Sequence, residues 1–263
     1  MTRPRRAAFA AAALVVAALL AALGVWQLER REWKHALVAA VDARIHAAPV
    51  PAPPPPAWRG IDAAHDAYRR VTATGRFRHD RETLVQAVTD RGAGYWVMTP
   101  LETPGFTLLV NRGFVPRERR DPATRAAGNT AGPTTVTGLL RVTEPGGGFL
   151  RANDPAANRW YSRDVAAIAA ARGLGPVAPW FLDADAGPRA GTAEWPRGGM
   201  TVVRFRDHHL QYALTWFALA LMVAFAAGRV LREGRRPRRE RPQQASPDVA
   251  DRPFADGNPT RTR

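Results

Sequence analysis

Two long stretches of the chain carry no charged residue, and they constrain its fold more than anything else in the sequence. The first runs from Ala7 to Leu28, twenty-two residues; the second runs from Leu210 to Gly228, nineteen residues. As helices rising ~1.5 Å per residue they would extend about 33 Å and about 28 Å. The hydrocarbon core of a bilayer is about 30 Å thick. Both stretches therefore predict membrane-spanning helices. Trp26 in the first, and Tyr212 and Trp216 in the second, mark one end of each. Such rings favour the membrane–water boundary, where an apolar body meets a wet polar tip.

The arginines orient the two spans. Arg3, Arg5 and Arg6 precede the first, and Arg229, Arg232, Arg235, Arg236, Arg238, Arg239 and Arg241 follow the second. Basic flanks stay in the cytoplasm. The expected order is a cytoplasmic N-terminus (1–6), a first span (7–28), an exported domain (29–208), a second span (209–228) and a basic cytoplasmic tail (229–263). The tail has no apolar period from 233 onward and is expected to be disordered. The chain as a whole has a net charge of +15, which first suggests nucleic acid. That charge is dense only beside the spans, so it reads as a topology signal and a contact for anionic membrane lipids. Nucleic-acid binding is not expected. A cleaved signal peptide is the rival for the first span, but its apolar core would usually run only ~7–15 residues. Abundant Ala, Arg, Pro and Gly beside a single lysine, Lys34, suggest a GC-rich bacterial gene; with the arginine flanks, the expected place is a bacterial inner membrane with a periplasmic domain.

There is no cysteine. Disulfides, thiolate nucleophiles, CxxC copper transfer and covalent c-type haem attachment are thereby excluded. No phosphate-binding loop, GxSxG or HExxH occurs either. The histidines are His35, His46, His65, His79, His208 and His209. His208 and His209 are adjacent, and neighbours on a helix point about 100° apart, so they do not readily grip one metal together. Asp183 and Asp185 fall on one side of a strand, and two carboxylates alone read as a solvated strand end. The residues predict a protein that is not an enzyme.

The exported middle reads as a β-rich α+β domain, an antiparallel sheet that is barrel-like or curled, with one main helix. Glu29–Ile45 predicts a helix leaving the membrane, with Val38, Val41 and Ile45 on one face. Pro49–Pro56 then predicts an extended proline-rich spacer, at 49–56. Strands are expected at Tyr68–Phe77, Glu82–Thr89, Tyr95–Leu101, Phe106–Phe114, Thr134–Val142, Val177–Asp183 and Thr201–Phe205. The single helix is expected over Arg159–Gly173, stopped by its glycine, and 184–200 is expected to be a loop.

Six segments in order carry a resemblance. They are Gly24-Val-Trp-Gln-Leu-Glu-Arg-Arg-Glu-Trp-Lys34, Gly75-Arg-Phe77, Gly94–Leu101 leading to Leu109-Val-Asn-Arg-Gly-Phe-Val-Pro116, Asn153–Tyr161, Pro179-Trp-Phe-Leu-Asp183 and His209-Leu-Gln-Tyr-Ala-Leu-Thr-Trp216. Between two membrane helices, these resemble the Surfeit locus protein 1 family of cytochrome c oxidase assembly factors. The resemblance implies help with insertion of haem a into oxidase subunit I, through transient haem a binding. It implies cytochrome c oxidase subunit I as partner, with haem a synthase as a further one. The family's histidine at the head of the second span maps onto His209. The family has Asn-Asn before it where this chain has Asp207-His208, which leaves the iron ligand open between His208 and His209. Asp207 could hydrogen-bond a ligating ring. Tyr212, Trp216 and Trp26 would cover the macrocycle, although Trp26 also fits helix–helix packing. Arg112 fits a strand-end role or docking on a partner or a haem propionate, and Asn153–Pro155 a turn. The alternative is a membrane-anchored scaffold that stabilises an oxidase intermediate without touching haem.

Overall fold

The computed structural model describes residues 3–187, 194–201 and 207–233. It divides into two compact units, Leu28–Leu210 and a helical pair drawn from the two flanking segments. Helix α1 (Arg3–His46) runs through 44 residues without a break. Its one proline, Pro4, lies in the first turn, where a missing N–H costs nothing. The expected span and the expected exit helix are thus one continuous element. It ends where the His46 Nδ1–H donates to the Asp42 carbonyl, 2.9 Å away, just ahead of Pro49. Among the described residues, helix α3 (His209–Glu233) is the second helix long and apolar enough to cross a membrane.

The helical pair buries small residues. Ala10, Ala17 and Gly24 recur every seven positions on α1; Ala213, Ala220 and Ala227 do so on α3. A strict seven-residue repeat keeps one seam facing its partner along a gently supercoiled pair. Gly24 shows how close the approach is, since a Cβ there would meet the Phe217 ring at 2.6 Å. The large side chains face outward: Leu19, Leu214, Leu221, Met222 and Phe225 are exposed.

The other unit is a β-domain. Its strands are β1 (Val50–Pro51), β2 (Arg70–Phe77), β3 (Thr83–Thr89), β4 (Gly92–Thr103), β5 (Phe106–Pro116), β6 (Pro133–Val142), β7 (Gly147–Gly148), β8 (Arg151–Ala152) and β9 (Val177–Ala184). The main sheet runs β1-β2-β6-β9-β5-β4-β3, and a β2–β4 pairing at Arg76–Glu102 and Phe77–Leu101 closes β2, β6, β9, β5 and β4 into a ring. Five strands cannot alternate direction all the way round, and the single exception is the parallel β5–β9 pair. Alternation along each strand sorts the side chains. Val71, Leu101, Leu108, Val110, Leu140, Trp180 and Leu182 fill the ring. Leu109 and Phe181, one residue out of phase, point outward to Trp160 and helix α2 (Val165–Arg172) with its Ile168.

Two expectations are corrected. The proline-rich segment is no spacer: Val50–Pro51 pairs in parallel with β2, Pro55–Gly60 forms a 3-10 helix, and Ala52 and Trp58 pack on the ring core. The helix expected from Arg159 begins only at Val165, capped by the Asp164 side chain at the Ala167 N–H. Residues 159–162 are claimed sideways instead. Arg159 exchanges backbone hydrogen bonds with Asp154, and the Asn153 side chain accepts from the Tyr161 and Ser162 N–H groups. The expected stop is observed, with Gly173 at φ +59°. Apart from Ala184, which ends β9, the described residues of 184–200 hold one isolated bridge, Phe114 with Arg197. The expected strand Thr201–Phe205 lies outside the described residues beyond Thr201, as does the tail from 234.

Candidate functional site

The head of α3 gathers the histidines that the sequence singled out. His209 is the first helical residue and is half-buried; His208 before it is exposed. The first N–H groups of a helix have no partner within it. Asp207 supplies one, its Oδ1 accepting from the His209 main-chain N–H at 3.0 Å. Its Oδ2 accepts from His35 Nε2 at 2.6 Å and lies 3.6 Å from Arg31 Nε. The His209 N–H and then the His35 ring hold the Asp207 carboxyl below the usual carboxylate range. The expectation that Asp207 serves a ligating ring is therefore corrected: its ring partner is His35, on α1. His35 and Arg31 were not singled out because they lie 172 and 176 positions from Asp207 in sequence. One faint signal existed, since Arg31 and His35 are four apart and share a helical face.

Along α3, His209, Tyr212 and Trp216 follow the three- and four-residue spacing that keeps side chains on one face. Tyr212 is 56% exposed and Trp216 half-buried, while Ala213 between them is buried in the seam. Trp26, on α1, is 54% exposed. Trp26 and Tyr212 thus leave about half of their surface uncovered, unlike the small residues of the seam. Among the described residues no three His, Asp or Glu side chains converge as a set able to hold a bare metal ion. A single imidazole suits instead a metal whose other donors come with a macrocycle.

The β-domain holds a second polar centre. Asp183 on β9 is 4% exposed and accepts from Asn111 Nδ2 (2.8 Å), Arg141 Nη1 (3.0 Å), Arg163 Nη1 (3.2 Å) and Thr201 Oγ1 (3.0 Å). Arg163 also binds Glu144 and lies over the Phe181 ring. The solvated strand end expected for Asp183 is thus a buried ion network. Its carboxylate is saturated by donors from four side chains. A cavity of about 500 Å³ adjoins it, lined among others by Tyr68, Trp96, Arg141 and Asp183. A second buried pair joins Arg125 and Glu82 in bidentate fashion.

Comparison with known proteins covers most of the chain. The model of the SURF1 family matches residues 14–221, from within α1 to within α3. The chain belongs to the SURF1 family. Surfeit locus protein 1 of Mus musculus is 37% identical over 229 residues, covering 81% of this chain and 72% of its own. The Homo sapiens protein is 35% identical over 221 residues, covering 77% and 71%. A SURF1-like protein of Monosiga brevicollis is 38% identical over 213 residues, covering 75% and 78%.

Several segments that suggested the SURF1 resemblance turn out to build the fold. At Asn111-Arg112-Gly113, two residues of β5 stand opposite one of β4, a bulge. Gly113 adopts φ +126°, and a Cβ there would strike the Arg197 carbonyl oxygen at 1.9 Å. Arg112 donates to Asn129 Oδ1 (2.9 Å), the Gly128 carbonyl (2.5 Å) and His79 Nδ1 (3.1 Å). It ties β5 to the 128–129 segment, which favours the strand-end role over propionate docking. His79 donates through Nε2 to the Thr130 carbonyl, so its ring is neutral with the proton on Nε2. Burial first, and then the neighbouring Arg112, push its pKa below the ordinary 6.5. Asn153 is the turn residue expected of it.

Proposed function

We propose that this protein is an assembly factor for haem–copper cytochrome c oxidase that holds haem a transiently and passes it to subunit I. The observation that carries the reading is the head of α3, where His208 and His209 lead into Tyr212 and Trp216 on one helical face. Haem brings four equatorial nitrogens, so the protein need supply only an axial imidazole and an apolar cover. His209, half-buried at the first turn, fits the axial role better than the exposed His208. Tyr212, Trp216 and Trp26 offer ring faces for the macrocycle. Haem a would be cargo, and no reaction is catalysed. The protein would sit in a bacterial inner membrane with both termini cytoplasmic and residues 29–208 in the periplasm, contacting oxidase subunit I and receiving its cargo from haem a synthase.

The test is purification of the full chain from cells that make haem A. A complex with a low-spin absorption band is expected, and the pair His208→Ala with His209→Ala should abolish it. Unchanged haem content in that double variant would refute ligation by either residue.

A scaffold role without haem draws on a different feature. Phe149 and Leu150, at the tip of the β7–β8 hairpin, are 92% and 88% exposed, and Leu150 takes φ +56°. An apolar tip in a strained turn suits contact with another protein. Subunit I co-purification that survives loss of both histidines but not Phe149→Ser would favour this reading.

A further inference from the structure

The pairing of His35 with Asp207 goes beyond the histidines at the head of α3. Both oxygens of Asp207 are committed, one to the main chain of His209 and the other to the ring of His35. Helix α3 has no acidic residue in its first turn, so Asp207 is the negative charge placed before its positive end. Upstream, the Gly199 N–H donates to the Ala184 carbonyl on β9 and Thr201 bonds Asp183, while residues 198–201 are neither helix nor strand. At the head of α3 the side-chain contact from α1 adds a tether of its own. Arg31, one turn earlier on the same face of α1, adds a longer ionic contact to the same carboxylate. The Nε2 of His35 is spent on Asp207 at 2.6 Å, so this ring is not offering that nitrogen to a metal.

We propose that His35 is a positioning residue: through Asp207 it fixes the first turn of α3 and so aims the His209 imidazole at the iron of a bound haem. This rests on the haem reading above and adds to it a residue, on the other helix, that sets the ligand's direction. Partners that hydrogen-bond a ligating ring directly govern metal affinity by about 10–100-fold; His35 acts one step further out, through Asp207 and the His209 main chain. The pair is partly exposed, with 51% and 25% of the two side chains accessible, so the low end of that range applies.

The experiment uses the full chain purified from haem-A-producing cells and titrated with haem a. His35→Ala should weaken haem a binding about tenfold and broaden the low-spin electron paramagnetic resonance signal, because the ligand plane is no longer fixed. His35→Gln keeps an N–H donor at similar reach and should restore most of both. His35→Ala combined with Asp207→Ala should be no worse than the weaker single variant, since each removes the same contact. A haem-independent arm exploits the absence of cysteine in the chain. Introduced together, His35→Cys and Asp207→Cys should be joined by a short bifunctional thiol reagent; failure to join them would overturn the geometry. If wild type and His35→Ala bind haem a alike while His209→Ala does not bind it, the positioning role is wrong and the haem reading stands. If wild type binds none, the haem reading itself fails and takes this inference with it.

Discussion

The two units of this chain are packed by opposite rules. In the β-domain the buried side chains are the largest available, with Trp160, Trp180, Phe114 and Phe181 at 1% exposure or less. In the helical pair the buried side chains are the smallest, Ala10, Ala17, Ala213, Ala220 and Ala227, while Leu, Met, Phe and Trp face outward. The difference follows from the solvent. In water, large apolar surface is driven inward by roughly 25 cal/mol per Å². Between helices in lipid that drive is absent, and close backbone approach over small residues takes its place. The ions follow the same division. The domain buries Asp183 and Glu82 against arginines, whereas each apolar run is free of charges and has a cluster of arginines at one flank.

The sharpest way to break this contrast is to hollow the ring. Trp180→Ala should cost the domain about 3–5 kcal/mol in denaturant unfolding, with the helical pair unaffected. Removing one charge from the buried network comes next. Asp183→Ala strands Arg141 and Arg163 and should cost about 3 kcal/mol, read in the same assay. Enlarging the seam tests the other unit. Gly24→Leu drives a branched side chain into the Phe217 ring and should weaken the pair by about 1–3 kcal/mol; dyes placed at Arg5 and Arg229 should separate while domain unfolding stays unchanged. Acid should act on the domain through His79. Its pKa is lowered on folding, so the unfolded chain binds the extra proton and stability falls as pH drops below about 6.5. Protonation would also set Nδ1 against its donor, Arg112, with Arg125 repelling and Glu82 favouring the charge. Above that pH the contribution is complete, and His79→Gln should flatten the profile. The smallest effect is expected where the rule predicts none: Leu221→Ala, on the lipid-facing side, should change unfolding by under about 0.5 kcal/mol.

Much of this was legible in the sequence because it is periodic or local. The β2, β3 and β9 strands lie within two residues of where alternation placed them, and Gly173 stops α2 as its type suggests. The position of His209 at the head of a helix was legible too. What escaped depends on partners far away in sequence. Trp160 looked like a helical apolar residue, but its carbonyl accepts from Gln86 on β3 and its ring fills the outer core. Asp183 looked solvated because its neutralisers come from β6 and from the segment before α2. His35 could not be tied to Asp207 by any pattern short of the fold. The proline run misled for a simpler reason: its composition describes an isolated chain, and here it has a sheet beside it.

That same run has a bearing on how the sheet avoids sticking to other chains. Closure of β2 onto β4 involves only two residue pairs, which leaves the first half of β2 with an open side. Val50–Pro51 lies along that side, and Pro53 to Pro56 follow at once. Proline has no N–H to offer an arriving strand. A passing unfolded polypeptide therefore meets a rim already occupied and chemically unable to extend, so the sheet should resist growing into an aggregate along that side.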